Sequence, residues 1–121
     1  MKKYNTTLGE LFNTRQAIIN KDIVNMAFSR KGGLSVARNM KKIDDELVEY
    51  SKARNELIRK YSSDGVTMER SSHNWDAFVK EFDELGSVET SIEINTITEF
   101  DLPDAITPAT CLAIEFMIGE E

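Results

Sequence analysis

Only two side chains have the chemistry of a nucleophile or proton carrier at neutral pH, one histidine (His73) and one cysteine (Cys111), and they stand far apart in sequence. Nucleophilic catalysis needs a nucleophile, a base and an orienting group in contact. His73 lies in Ser71-Ser72-His73-Asn74, which reads as a polar helix start. Cys111 lies in an apolar helix and reads as a small buried hydrophobe, although a place in the first turn would lower its pKa. One His and one Cys cannot make the usual nitrogen and sulfur zinc set, and no Asp-x-Asp-x-Asp-Gly loop offers a calcium site. Asp44-Asp45-Glu46 reads as a solvated helix face. No metal, no cofactor and no enzymatic activity are expected.

Anion chemistry has more support. Arg30, Lys31, Arg38, Lys41 and Lys42 cluster about Gly32-Gly33. The spacing is neither Gly-x-x-x-x-Gly-Lys-Ser/Thr nor Gly-x-Gly-x-x-Gly. Backbone N–H groups at a helix start with arginines beside them can still hold an anion. The plainer reading is a solvated basic patch that meets acids of its own fold or of a second subunit. Arg54 stands at a core-type position and needs an acid, a ring such as Tyr50, or a ligand. Arg30, Arg38, Tyr50, Arg54 and Trp75 are therefore the candidate ligand-binding residues, for an anionic nucleotide.

The elements that must position these residues are legible from periodicity. Thr7-Leu8-Gly9-Glu10 reads as a capping box, and Leu8, Leu11, Phe12, Arg15, Ile18 and Ile19 place a first helix as far as Asn20. Gly32-Gly33 is expected to break any helix. Val36, Met40, Ile43, Leu47, Tyr50, Arg54, Leu57 and Tyr61 then alternate four- and three-residue steps, an a/d seam of nearly four heptads. Ser35 is the expected cap and Ser62-Ser63-Asp64-Gly65 the stop, giving a helix over 35–62 of about 28 residues and on the order of 40 Å. The first helix is too short to cover it. Val36, Met40, Ile43, Leu47, Leu57 and Tyr61 are thus expected at an interface, and the chain to be a homo-oligomer.

Val66-Thr67-Met68-Glu69 reads as a short strand. Trp75, Phe78, Val79, Phe82 and Leu85 mark an amphipathic helix ended by Gly86. The period then falls to two: Val88, Thr90, Ile92 and Ile94 share one face of a strand, and Glu89, Ser91, Glu93 and Asn95 the other, with continuation through Ile97 open. Thr107-Pro108 starts a last helix over 108–118 that is apolar on nearly every side, so buried or in an interface. The fold expected is α+β and mostly helical: a long helix in a helical hairpin, an amphipathic helix, a small β element and a C-terminal apolar helix, in one domain over 1–121.

With 121 residues, 40% apolar and 30% charged, the chain has the size and composition of a globular domain. The net charge of −6 is unevenly spread. Residues 81–121 hold 11 of the 21 acids and no base, while residues 1–80 hold all 15 bases and the other 10 acids, a balance of +5. Direct DNA binding is not expected, because phosphate neutralisation wants a net basic face. No apolar run approaches the roughly 20 residues of a membrane span, and Met1–Thr7 has no apolar signal core, so no membrane association or secretory signal is expected. A lone cysteine suits a reducing cytosol.

Several stretches carry a resemblance: Ser35-Val36-Ala37-Arg38-Asn39-Met40-Lys41-Lys42-Ile43, then residues 49–61 from Glu49 to Tyr61, Phe82-Asp83-Glu84-Leu85, and Ile106-Thr107-Pro108 leading to Glu115-Phe116-Met117-Ile118. Through these the chain resembles, over residues 8–121, an uncharacterised family of small proteins of phages and prophages of Gram-positive bacteria, catalogued as a domain of unknown function. The segment 21–33 departs from it. The resemblance implies a setting, the cytoplasm of a bacterial host, and no activity. Two roles fit that setting. One is antagonism of a defence system, by sequestering a nucleotide signal or by blocking a nuclease through the acidic residues 81–121. The other is an accessory or chaperone for virion or tail assembly.

Overall fold

A computed structural model describes residues 1–62, 64–65 and 67–119. In chain order these form β1 (Lys2–Thr7), α1 (Leu8–Asn20), α2 (Arg30–Tyr61), α3 (Trp75–Gly86), β2 (Glu89–Ile94) and α4 (Pro108–Ile114), with single 3-10 turns at Ile23–Asn25, Glu99–Asp101 and Glu115–Met117. The fold is α+β and mostly helical. Of the expectations above, Ser63 of the stop, Val66 of the short strand and the last two glutamates of the acidic stretch lie outside the described residues. Thr67, Met68 and Glu69 form no strand.

The long helix starts earlier than its glycines suggest. α2 has 32 residues and includes Gly32 and Gly33, and its cap is Ser29 rather than Ser35. Ser29 Oγ accepts from the Gly32 N–H at 3.0 Å and donates to Asp101 Oδ1 at 2.7 Å, while its own N–H donates to the Asp101 carbonyl at 3.0 Å. A glycine inside a helix costs only about 1 kcal/mol, less than a good cap and a tertiary contact return. Gly32 is also required by shape: a Cβ there would lie 2.7 Å from Asp101 Cβ and 3.0 Å from its carbonyl. Gly32→Ala is therefore expected to lower stability by about 1 kcal/mol in thermal melts. The clash, about 1–3 kcal/mol, outweighs the gain in helix propensity.

At 1.5 Å per residue α2 spans roughly 48 Å, and four elements cover its seam in succession. The Glu99–Asp101 turn holds its first turn. β2 lies along the next stretch, where Lys42 Nζ donates to the Glu93 carbonyl at 2.9 Å. α1 runs antiparallel beside the middle, the expected helical hairpin, with Arg15 paired to Asp44 and the Phe12 ring 5.5 Å from Tyr50. α3 closes the end, with Tyr61 edge-on to Phe78 at 6.4 Å and Lys60 3.3 Å from Glu81. One cluster gathers the buried apolar side chains of α1, α2, β2 and α4, from Leu11 and Ile18 through Val36, Ile43 and Leu47 to Ile92, Ile94 and Ile114, with Met117 of the turn that follows α4.

This corrects the interface reading. Val36, Ile43 and Leu47 are buried within the one chain, and Met40 packs half-buried on the same cluster. Leu57 and Tyr61 are half-buried at the α3 end. The first helix alone is indeed too short; β2, α3 and the turn at 99–101 supply the rest.

The second half of the chain follows its periodicity with two departures. β2 turns Thr90, Ile92 and Ile94 inward and Glu89, Ser91 and Glu93 outward. Its partner is β1, antiparallel, with Lys3 opposite Glu93, Asn5 opposite Ser91 and Thr7 opposite Glu89. Ile97 is not part of the strand but forms a lone parallel bridge with Ile118. The last helix ends at Ile114 and tightens to a 3-10 turn, and it is not buried all round: Leu112 is 72% exposed. Thr107 caps it through the Thr110 N–H, with Pro108 at the first position as expected.

Candidate functional site

The five candidate ligand residues do not meet. Arg30 and Arg54 are 24 residues apart on α2, roughly 36 Å along the axis. Tyr50 is 2% exposed and belongs to the core; burial pushes its phenol pKa up, with Arg54 opposing. Arg54 finds the ring its position demands, its guanidinium 5.4 Å above the Phe12 ring centroid. Trp75 stands at the start of α3, 5.8 Å from Phe78 and 6.0 Å from the Arg70 guanidinium. The helix start between Arg30 and Arg38 already has its anion. Asp101 is buried there, and the Ser29 hydroxyl, followed by the Thr98 backbone N–H, holds its carboxyl below the usual range. An incoming phosphate would meet that carboxylate. The nucleotide constellation is thus not assembled within one chain.

His73 is exposed and lines a polar cavity of about 400 Å³ over residues 60–74, with Lys60, Tyr61, Asp64 and Glu69 among its neighbours. Cys111 is half-buried on α4, its N–H donating to the Thr107 carbonyl. Neither faces the other's element. Among the described residues no three His, Cys, Asp or Glu side chains are placed to hold a metal ion, and no helix is long and apolar enough to cross a membrane.

What does converge is a set of carboxylates on the small sheet. Thr6 and Thr90 are direct cross-strand partners. The Thr6 hydroxyl donates to Glu10 Oε2 at 3.2 Å, and the Thr90 hydroxyl donates to Glu46. Glu10 therefore performs half of the expected capping box: its N–H donates to Thr7 Oγ1 at 3.3 Å, but its carboxylate turns to Thr6. Beside this pair opens a concavity of about 540 Å³ lined by Asn5, Thr6, Thr7, Glu10, Glu89, Thr90 and Ser91. Its charged groups are both carboxylates, one from α1 and one from β2, and Glu46 of α2 adjoins it. All three carboxylates are exposed. Two are steered by hydroxyls of the sheet, which fixes their direction.

Sequence reasoning placed Glu89 and the acidic excess but missed this arrangement. Its framework is β1, whose Lys-Lys-Tyr-Asn-Thr-Thr run has one large apolar residue and carries little strand signal. It also missed Asn39, whose polar side chain is buried in the core stripe of α2 between Val36 and Ile43. Asn39 Nδ2 donates to the Asn95 carbonyl at 2.9 Å, and the Asn95 N–H donates to Asn39 Oδ1 at 2.8 Å. Comparison with protein-family models, with curated proteins and with solved structures found no match.

Proposed function

We propose that this chain is a non-enzymatic interaction protein, of the phage or prophage kind its sequence resembles, that offers carboxylates on its small sheet to a basic partner. The partner class that fits is the phosphate-binding cleft of a defence nuclease, which is built to receive negative charge. The observation that carries the reading is the 540 Å³ concavity over Thr6 and Thr90, whose charged lining consists of Glu10 and Glu89. Carboxylates spread over α1, α2 and β2 suit several separate cationic contacts better than a single ion.

The test is DNA cleavage by purified defence nucleases in the presence of the chain. Stoichiometric inhibition is expected from at least one of them, weakening as salt rises because exposed charges are screened beyond about 10 Å at 0.1 M. Glu10→Lys with Glu89→Lys is expected to raise the inhibitory concentration about tenfold or more, since like charges now face each other. Cleavage untouched across the set, or an unchanged double variant, would remove the reading.

A second reading, an accessory for virion assembly, is favoured by the groove between α1 and α2. It measures about 350 Å³ and is lined by Phe12, Arg15, Asp44, Leu47, Val48 and Ser51, with Val48 exposed. Recovery of virion proteins with the chain from infected cells would support it, and its loss in Val48→Asp would place the contact.

A further inference from the structure

The two-stranded sheet has one edge occupied and one open. On the far side of β2, the Glu93 carbonyl receives Lys42, and both backbone groups of Asn95 are closed by Asn39. In an antiparallel ladder the N–H and C=O of one residue point to the same side, and successive residues alternate. Glu93 and Asn95 therefore face α2, and Thr90, Ile92 and Ile94 bond to β1. Their partners Thr6, Tyr4 and Lys2 bond back. Lys3, Asn5 and Thr7 must then direct their backbone groups away from β2. The Thr7 carbonyl belongs to the first turn of α1, where an N-cap residue already accepts. This leaves the N–H and C=O of Lys3 and Asn5 and the N–H of Thr7 in a row. Among the described residues none of them has a backbone partner.

Alongside this edge runs a groove of about 390 Å³ between β1, α1 and α4, lined by Lys2, Tyr4, Thr14, Leu112, Glu115 and Phe116 among others. The Tyr4 ring stacks on Phe116 at 4.8 Å, which gives the groove an aromatic floor. Leu112 stands 72% exposed on its rim. Lys2 and Lys3 are exposed, and neither has an ion pair among the described residues.

We propose that the open edge of β1 is a strand-accepting site for an extended segment of a partner protein in which apolar and acidic residues alternate. The chemistry of the occupant is read from the strand that β1 already holds. β2 sets Ile92 opposite Tyr4 and Glu93 opposite Lys3, and the open edge offers the same tyrosine and the same lysine to a second strand. Main-chain hydrogen bonds supply affinity, while an apolar side chain in the groove and a carboxylate at Lys2 or Lys3 supply selectivity. Lysines on an edge reject indiscriminate apolar pairing, which is why an acidic segment is the one admitted. A second copy of β1 fits less well. Two-fold pairing about Asn5 would set Lys3 against Thr7 and leave the lysines without carboxylates. The edge shares Asn5 and Thr7 with the rim of the carboxylate concavity, but Lys3 and Tyr4 lie outside it, so a change at Lys3 tells the two proposals apart.

The probe is a synthetic peptide with the sequence of residues 87–96, titrated into the intact chain. Amide exchange at Lys3, Asn5 and Thr7 is expected to slow on peptide addition, with the amides of Tyr4 and Thr6 unchanged. In Asn5→Pro the lost N–H is one that faces away from β2, so the ladder survives, as proline does on edge strands. That variant is expected to melt within a few degrees of the parent and to bind the peptide about tenfold more weakly. Lys3→Glu is expected to weaken binding by repelling the acidic segment, with a small loss of stability because Glu93 stands opposite it in the ladder. Equal peptide affinity in Lys3→Glu and in folded Asn5→Pro would overturn the proposal, as would absence of protection at the three outward amides. Protection that rises with protein concentration alone would put a second copy on the edge, and would overturn it too.

Discussion

Asn39→Leu is expected to lower stability by about 3–4 kcal/mol, close to the whole margin of a weak domain. Asn39 is fully buried in the covered stripe of α2, between Val36 and Ile43. Its amide takes the place of a third strand: it accepts from the Asn95 N–H and donates to the Asn95 carbonyl just where β2 leaves the sheet. Leucine fits the stripe by polarity but leaves both backbone groups of half-buried Asn95 without their partner, at about 1–3 kcal/mol each. Urea unfolding checks this, with a lower midpoint and an unchanged slope. Asn39→Asp separates the bond from the shape. Its carboxylate still accepts from the Asn95 N–H but opposes the carbonyl, so a similar loss is expected at neutral pH, partly recovered once the acid is protonated. A loss under about 1 kcal/mol for leucine would show that the amide does not seal the strand end.

Asp101→Ala is expected to cost about 2–3 kcal/mol. The Asp101 carboxylate accepts from the Ser29 hydroxyl, the Thr98 N–H at 3.0 Å and the Thr98 hydroxyl at 3.1 Å. It thereby joins the capping box of the Glu99–Asp101 turn to the first turn of α2. Hydrogen bonds to a charged group are worth about 1.5–3 kcal/mol, although solvent near this junction tempers the upper figure. The folded pKa is held below the ordinary value, chiefly by the Ser29 hydroxyl and then by Thr98. Asp101 therefore stabilises the fold fully above the unfolded pKa of about 3.9, and that contribution fades as pH falls through the lower folded value. Thermal melts from neutral pH to below pH 4 should show the parent and Asp101→Asn converging as acid is added. Curves that stay parallel throughout would mean that the charge of Asp101 is not what joins the turn to the helix.

Both residues mark where sequence reading stops. Apolar spacing alone located the stripe of α2 from Val36 to Tyr61, the face of α3, the alternation of β2 and the caps at Thr7 and Thr107, because each is set by neighbours within a turn or two. The start of α2 was misplaced by five residues. The penalty of Gly32-Gly33 is local and visible, whereas the Ser29–Asp101 contact that outweighs it spans 72 positions. β1 was missed for a related reason. It is a strand by virtue of β2, with only Tyr4 and the threonine side chains to signal it. The apolar edge of α2 is as long as its spacing predicts, and Val36, Ile43 and Leu47 on it are covered by other elements of the same chain. An unbroken apolar edge shows how much cover is needed, not how many elements of the same chain share in giving it. The scattered arginines were a sum over sequence that the folded helix spreads along roughly 36 Å.

With the seam of α2 occupied from within, the surfaces left for a partner are the carboxylate concavity beside the small sheet, the outer edge of β1 and the groove between α1 and α2. Charge follows the same division, since the bases Arg30, Arg38 and Lys41 stay exposed on α2 while Glu89 and Glu93 stand on the sheet.

Mass in solution, by light scattering from micromolar to near-millimolar protein, tests most directly whether α2 needs a second chain. A constant mass near 13.7 kDa is expected at every concentration. A stable multiple of that mass at the lowest concentration, with Val36, Ile43 and Leu47 shielded only in the assembly, would contradict it.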